Sequence, residues 1–208
     1  MTLPAPPLLL ITDRSQAREN ILDIAVAALA AGCRWISLRE KDLPEADQTA
    51  LLGELLQRAR PYNARVTLHG DPTTALHAKA HGVHLSAGND AATARRILGK
   101  DALVGLSVHS AAEARKVDPA PLDYVIAGPV FETASKPGYG PALGPEGLAV
   151  IVKASRVPVI AIGGVTLQTI SDCLAAGATG VAVMGGVMRA ADPGKEIEKM
   201  LAAYPRPR

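Results

Sequence analysis

Val157–Gly164 reads VPVIAIGG and Gly180–Gly186 reads GVAVMGG, two short apolar runs that each stop on a pair of glycines. Runs this short, β-branched and almost free of polar groups are what a parallel strand buried on both faces requires. A helical stretch follows each, which predicts glycines where a strand hands over to a helix. A glycine there lets the backbone come close to a ligand, and the first amides of the following helix point at an anion. In an eight-stranded α/β barrel the loops after the last two strands commonly bind phosphate. The two runs therefore predict a barrel and a phosphorylated ligand, with Gly163, Gly164, Gly185 and Gly186 as phosphate-binding positions.

Outward from these runs the same rhythm recurs. Strands are expected at Leu8–Asp13, Trp35–Glu40, Arg65–Gly70, Gly82–Ser86, Leu103–His109, Tyr124–Val130, Val157–Gly164 and Gly180–Gly186. Between them lie alanine-rich stretches with helical spacing, such as Ile21–Ala31, Asp47–Arg60, Thr73–Ala80 and Leu167–Ala176. AAGCRWISL, AKAHGVHL and AAGATGVAVM repeat one role: helix end, glycine, buried strand. Strict alternation of this kind means parallel βαβ units, and eight of them favour a closed (β/α)8 TIM barrel over an open doubly wound sheet. No Gly-x-Gly-x-x-Gly follows the first strand, which removes the dinucleotide-binding fingerprint. The expectation is a single-domain α/β TIM barrel over residues 1–208.

Composition narrows the class of ligand. With one Trp, one Phe and four Tyr among 208 residues, the core is expected to be aliphatic. A formal charge of +2 makes no case for nucleic acid or a membrane surface, yet does not oppose an anionic metabolite. Cys33 and Cys173 are too few and too far apart for a disulfide framework or a metal site, so buried free thiols are expected. The opening MTLPAPPLLLIT lacks a positive leader, and no apolar run reaches membrane-span length. A cytoplasmic protein with a small-molecule partner is expected, and a homo-oligomer stays open.

In a parallel barrel every strand's C-terminal end opens on one face. The polar residues expected there include Thr12 and Asp13, Ser37, Arg39 and Lys41, His69 and Asp71, His84, Ser86 and Asn89, Ser107 and His109, and Thr133, Ser135 and Lys136. Arg39 and Lys41 flank Glu40, so both can point the same way and converge with Lys136 on a phosphate or carboxylate. The alternative is a rim salt-bridge row in which Glu40 and Asp42 neutralise them. His109 and His69, at strand ends, are candidates to shuttle a proton. His84 reads as a satisfied core residue, and His77 and His81 as solvent facing. The loop Phe131–Gly144, FETASKPGYGPALG, is long enough to be a substrate loop or lid. The absence of a carboxylate pair, a Cys/His ligand set or a nucleophile elbow argues against glycoside hydrolysis, zinc chemistry and serine hydrolysis.

Seven pieces in order resemble the thiamine phosphate synthase and TenI family: LLITDR, ISLREKDL, HGVHLS, GLSVHSAAEA, DYVIAGPVFETASKPG, VPVIAIGG and GVAVMGG. The resemblance implies a barrel that binds a thiazole phosphate in thiamine biosynthesis. It implies that Arg39, Lys41 and Lys136 hold a pyrophosphate, and that Thr133 and Ser135, with amides at Gly164 and around Gly185, hold the thiazole substrate. Synthases of the family carry an Asn-Asp pair after the third strand and a Gln-Glu-Asp run after the fourth, whose aspartates bind Mg2+. Here those positions are His69 and Gly70, then Ala87, Gly88 and Asn89, with Asp71 and Asp90 one residue further on.

Gly70 and the VFET wording resemble the TenI-like thiazole tautomerases, whose reaction needs no metal. Their sixth-strand histidine is Pro129 here, which leaves His109 or His69 to move the proton. The expected activity is therefore proton-transfer tautomerisation of a thiazole phosphate carboxylate, without a cofactor. The alternatives are a thiamine phosphate synthase using Mg2+ held by Asp71 and Asp90, and a non-catalytic regulatory barrel that binds a thiamine intermediate.

Overall fold

The computed structural model describes residues 2–133, 135 and 140–204. All eight expected strands form: β1 (Leu8–Ile11), β2 (Trp35–Leu38), β3 (Arg65–His69), β4 (Gly82–Leu85), β5 (Leu103–Val108), β6 (Tyr124–Ala127), β7 (Val159–Ala161) and β8 (Gly180–Val183). Each pairs in parallel with the next, and β8 pairs with β1, so the sheet closes into a barrel. All eight strands stop short of their expected C-terminal ends by one to three residues. The polar and glycine residues there leave the ladder to build loops, because the apolar content that favours buried pairing ends first.

The outer layer contains α1 (Ile21–Ala30), α2 (Glu45–Ala59), α3 (Pro72–His77), α4 (Ala91–Leu98), α5 (Ala111–Lys116), α6 (Gly144–Ala154) and α7 (Ile170–Ala175). Two helices follow β8, namely the short α8 (Gly185–Met188) and α9 (Pro193–Ala202). Side-chain caps start several of them: Asn20, Asp71, Asp90, Ser110 and Asp192 each accept from an amide in the first turn. Tyr204, beyond α9, reaches back to the seam of the barrel. Its hydroxyl donates to the Pro7 carbonyl at 2.9 Å and accepts from the Val181 amide at 3.1 Å.

Strand side chains alternate between the two faces of the sheet, and this splits the apolar residues into two cores. Leu8, Leu10, Ile36, Leu38, Val66, Val83, Val104, Val125 and Val181 point outward and pack with the helices. Leu9, Ile11, Trp35, Leu103, Tyr124, Ile126, Ile160 and Ala182 form a separate interior cluster. The outer core is aliphatic as expected, and the interior is mostly so, with two aromatic residues among it. It contains the chain's one Trp and a buried Tyr, with ring centroids 4.8 Å apart in an edge-to-face contact.

The interior rings continue upward. Tyr124 stacks on His84 at 5.6 Å, and His84 lies 4.8 Å from His69. Gly105 makes the stack across β5 possible. It is in register with His84 on one side and Tyr124 on the other, and a Cβ there would overlap the Tyr124 ring. Cys33 and Cys173 are free and buried, as expected, and burial pushes both thiols up to about 11. Among the described residues no helix is long and apolar enough to cross a membrane.

Gly105→Ala is expected to destabilise the fold by about 1–3 kcal/mol through overpacking. Gly53→Ala, in α2 with open space around it, should stabilise it by about 0.5–1 kcal/mol. Urea unfolding of both variants checks the pair, and equal effects would contradict this account of the stack. A pH dependence also follows from His84. Burial, reinforced by the Lys41 charge, pushes its imidazole down to about 3. The unfolded chain binds that proton near the ordinary value of about 6.5. Stability is therefore fully present above that pH and falls as pH drops toward 3, by at most about 1.4 kcal/mol per pH unit from this group. His81, lowered mainly by burial, acts in the same direction. Unfolding titrations between pH 7.5 and 5 should show a shallower pH slope in His84→Asn than in the parent chain.

Candidate active site

A cavity of about 400 Å³ opens at the C-terminal ends of the strands. It brings together Arg39, Lys41, His69, His109, Thr133, Ser135, Gly163, Gly164, Gly185 and Gly186 on its wall. Lys136 lies outside the described residues, as does the middle of the expected loop Phe131–Gly144. The ends of that loop are pinned to the barrel, where the Leu143 and Gly144 amides donate to the Pro129 and Val130 carbonyls at 2.9 and 2.8 Å.

Alternation after β2 sends Arg39 and Lys41 to the cavity and turns Glu40 away, into a site where it is 3% exposed. There Glu40 accepts from the Thr12 hydroxyl at 2.7 Å and the Arg14 amide at 3.0 Å. Burial pushes its carboxyl up, while the Thr12 and Arg14 hydrogen bonds oppose the shift. The rim salt-bridge row does not form as drawn. Glu40 lies 3.8 Å from the Arg14 guanidinium, and Asp42 also pairs with Arg14, so neither carboxylate neutralises the cavity cations. Lys41 Nζ donates to Ser86 Oγ at 3.4 Å.

The glycine side of the cavity is built from backbone. Gly163 and Gly164 adopt φ of 97° and 62°, the left-handed region that disfavours other residues. A Cβ at Gly163 would lie 2.6 Å from Pro129 Cα, and one at Gly164 2.7 Å from Phe131 Cβ. The loop after β6 therefore packs directly on the loop after β7, and the Val130 and Phe131 amides donate to the Ile162 and Gly163 carbonyls at 2.8 and 2.9 Å. The expected strand-to-helix handover holds only for the second pair. α8 starts at Gly185 itself, whereas residues 165–169 separate Gly164 from α7. The space around Gly186 is open.

Three imidazoles line the cavity. His109 Nδ1 lies 2.7 Å from the Gly128 carbonyl, which can only accept. Nδ1 therefore carries the proton in the neutral ring, and Nε2 is the basic nitrogen. His69 sits on the wall beside His84. His84 is not the fully satisfied core residue expected: it lines the cavity, its Nε2 is 2.9 Å from Ser107 Oγ, and its buried Nδ1 has no hydrogen-bond partner among the described residues. His81 also departs from expectation. It is half-buried, and its Nδ1 accepts from the Val66 amide at 2.9 Å, while His77 is exposed as expected.

The donors do not fit Mg2+, which demands near-octahedral oxygen ligation. Gly70 and Asn89 supply no carboxylate. Asp71 Oδ1 accepts from the Thr73 and Thr74 amides at 2.8 and 3.0 Å, so it caps α3. Asp90 caps α4 through the Ala92 and Thr93 amides, and its second oxygen takes the Thr93 hydroxyl at 2.6 Å. Among the described residues no cluster of three His, Cys, Asp or Glu could hold a metal ion. The alternative in which Asp71 and Asp90 serve as relocated Mg2+ ligands is therefore not supported by their geometry: both carboxylates serve helix starts.

Sequence reading missed Arg14, Gln16 and Arg189. Arg189 lines the cavity, and the signal for it was a lone cation one helical turn beyond Gly185. Gln16 carries no chemistry of its own in sequence, and only the folded loops bring it beside Ser135.

Comparison with known proteins agrees with this architecture. A family model described as thiamine monophosphate synthase matches residues 8–187. A putative thiamine-phosphate synthase of Geobacter sulfurreducens is 38% identical over 200 residues, covering 95% of this chain and 94% of that protein. A thiamine-phosphate synthase of Roseiflexus sp. (strain RS-1) is 40% identical over 187 residues, covering 88% of this chain and 78% of that one. Among solved structures, a thiamine phosphate pyrophosphorylase from Pyrococcus furiosus superposes with a TM-score of 0.84 at 31% identity, covering 94% of both chains. With the barrel, the basic strand end and the glycine loops in place, the chain belongs to the thiamine monophosphate synthase family.

Proposed function

We propose that this chain is a thiamine-phosphate synthase, joining a hydroxymethylpyrimidine diphosphate to a thiazole phosphate with release of diphosphate. The observation that carries the reading is that one cavity has two poles of a kind that suits anions. One is made of the Arg39 and Lys41 side chains after β2, the other of glycine backbone after β7 and β8. Two phosphorylated partners need two such poles. The names borne by the relatives support transfer over the isomerisation expected from sequence.

As the bond between the heterocycles forms and the diphosphate departs, negative charge grows on the leaving oxygen. Arg39 and Lys41 stabilise it by being in place beforehand, Arg39 on backbone tied to Thr12 and Lys41 beside Ser86. The Arg39 amide donates to Thr12 Oγ1 at 2.9 Å, and Thr12 in turn donates to Glu40, which fixes the backbone at this strand end. The purified chain, given both phosphorylated heterocycles, should form thiamine phosphate. Arg39→Ala should lower kcat/KM about a hundredfold. No product at saturating substrates, with or without added Mg2+, would overturn the assignment.

A second reading is favoured by the commitment of Asp71 and Asp90 to helix starts, together with the fixed tautomer of His109. In it the chain binds one thiazole phosphate carboxylate across the two poles, and His109 Nε2 moves the proton that makes the ring aromatic. Accelerated aromatisation of the thiazole tautomer, lost about a hundredfold in His109→Gln, would establish this reading. A rate equal to buffer would remove it. Tight binding of thiazole phosphate with neither turnover would instead identify the non-catalytic barrel.

A further inference from the structure

Beside Gly185, side chains from three loops meet. Gln16 comes from the loop after β1, Ser135 from the loop after β6, and Arg189 from the turn that ends α8. Ser135 Oγ donates to Gln16 Oε1 at 2.9 Å, and Arg189 Nη1 donates to the same oxygen. Gln16 Nε2 donates to Asp13 Oδ2. The orientation of the amide follows from chemistry, since a guanidinium can only donate and a carboxylate can only accept. Partial burial works to raise the Asp13 carboxyl, but hydrogen bonds from Ser15 and Gln16 outweigh it and hold it below its ordinary value. Asp13 is therefore an ionised anchor for the network.

The knot exists because position 185 has no side chain. A Cβ there would come within 2.5 Å of both Arg189 Nη1 and Gln16 Oε1 and would overlap Ser135 Oγ. Arg189 thus stands on the cavity wall next to the glycine pole. Among the described residues no carboxylate pairs with it, and the one side-chain hydrogen bond it makes goes to a neutral amide. Asp13 steers it at one remove through Gln16 and leaves its charge uncancelled. A guanidinium carries five donors in a planar fork suited to two phosphate oxygens, and the single bond to Gln16 leaves the others for a ligand.

We propose that Arg189 is a specificity-determining residue that grips the phosphate monoester of the ligand, with Gln16 as its positioning residue. This rests on the reading that the glycine pole receives a phosphorylated thiazole. It adds that recognition there is by side-chain charge as well as by backbone. Arg189 supplies the discrimination between the ester and the corresponding alcohol, and Gln16 sets the angle of the fork.

Calorimetric Kd values for thiazole phosphate, the unphosphorylated thiazole alcohol and inorganic phosphate test this on the parent chain, Arg189→Gln, Arg189→Lys and Gln16→Ala. Arg189→Gln should weaken the ester about tenfold to a hundredfold while leaving the alcohol within about twofold. Arg189→Lys should recover part of the loss, since it restores charge without the fork. Gln16→Ala should weaken the ester by a smaller factor, again sparing the alcohol. Salt should weaken ester binding to the parent more steeply than to Arg189→Gln. Equal ester affinity in the parent and Arg189→Gln overturns the proposal. So does an equal loss for ester and alcohol, which would mark Arg189 as a brace for the loops. A parent chain that binds neither ester nor inorganic phosphate overturns the phosphate site itself, and this assignment with it.

Discussion

Closure of eight parallel strands into one ring is the constraint from which the remaining features follow. Once β8 pairs with β1, no strand has a free edge, every second side chain is forced into a narrow interior, and all eight C-terminal ends face one mouth. The outward residues are aliphatic because they meet helices. The inward residues must fill a shaft of fixed width, and here they fill it unevenly. At the level of the cavity, β1, β6 and β8 contribute Ile11, Ile126 and Ala182, whereas β3, β4 and β5 contribute His69, His84 and Ser107. The floor of the cavity is thus apolar on one side and polar on the other before any loop is considered.

The aromatic column joins floor to base. Trp35 and Tyr124 plug the shaft, and His84 rides on Tyr124 across the gap left by Gly105. A neutral imidazole in that position can hold Ser107 and line the cavity without the desolvation penalty of a buried charge. The charges are kept at the mouth instead. Glu40 is turned beneath the rim to hold Thr12 and Arg14, and Arg39 and Lys41 face the cavity.

The loops are fastened to one another as much as to the barrel. Gly163 and Gly164 let the loop after β7 press against Pro129 and Phe131, and Gly185 leaves the room in which Gln16, Ser135 and Arg189 meet. In each case the missing Cβ serves contact between loops, beyond any approach of backbone to ligand. With Gly70 and Asn89 at the strand ends, the nearby carboxylates of Asp71 and Asp90 cap α3 and α4.

The barrel was legible in the sequence because its signals are local. Buried parallel strands are apolar runs, helices carry their own period and caps, and glycine pairs mark where VPVIAIGG and GVAVMGG must end. The side of the barrel on which Arg39 and Lys41 emerge was legible for the same reason, since alternation about Glu40 is a property of one strand. Tertiary structure alone decided which partners those residues meet. Arg14 takes Glu40 and Asp42, His109 is committed to the Gly128 carbonyl, and Gln16 finds Ser135 and Arg189, positions 119 and 173 residues further along the chain. Pairings at such separation follow from the order in which strands close the ring and from the packing of their loops, and no periodicity within a single segment encodes them.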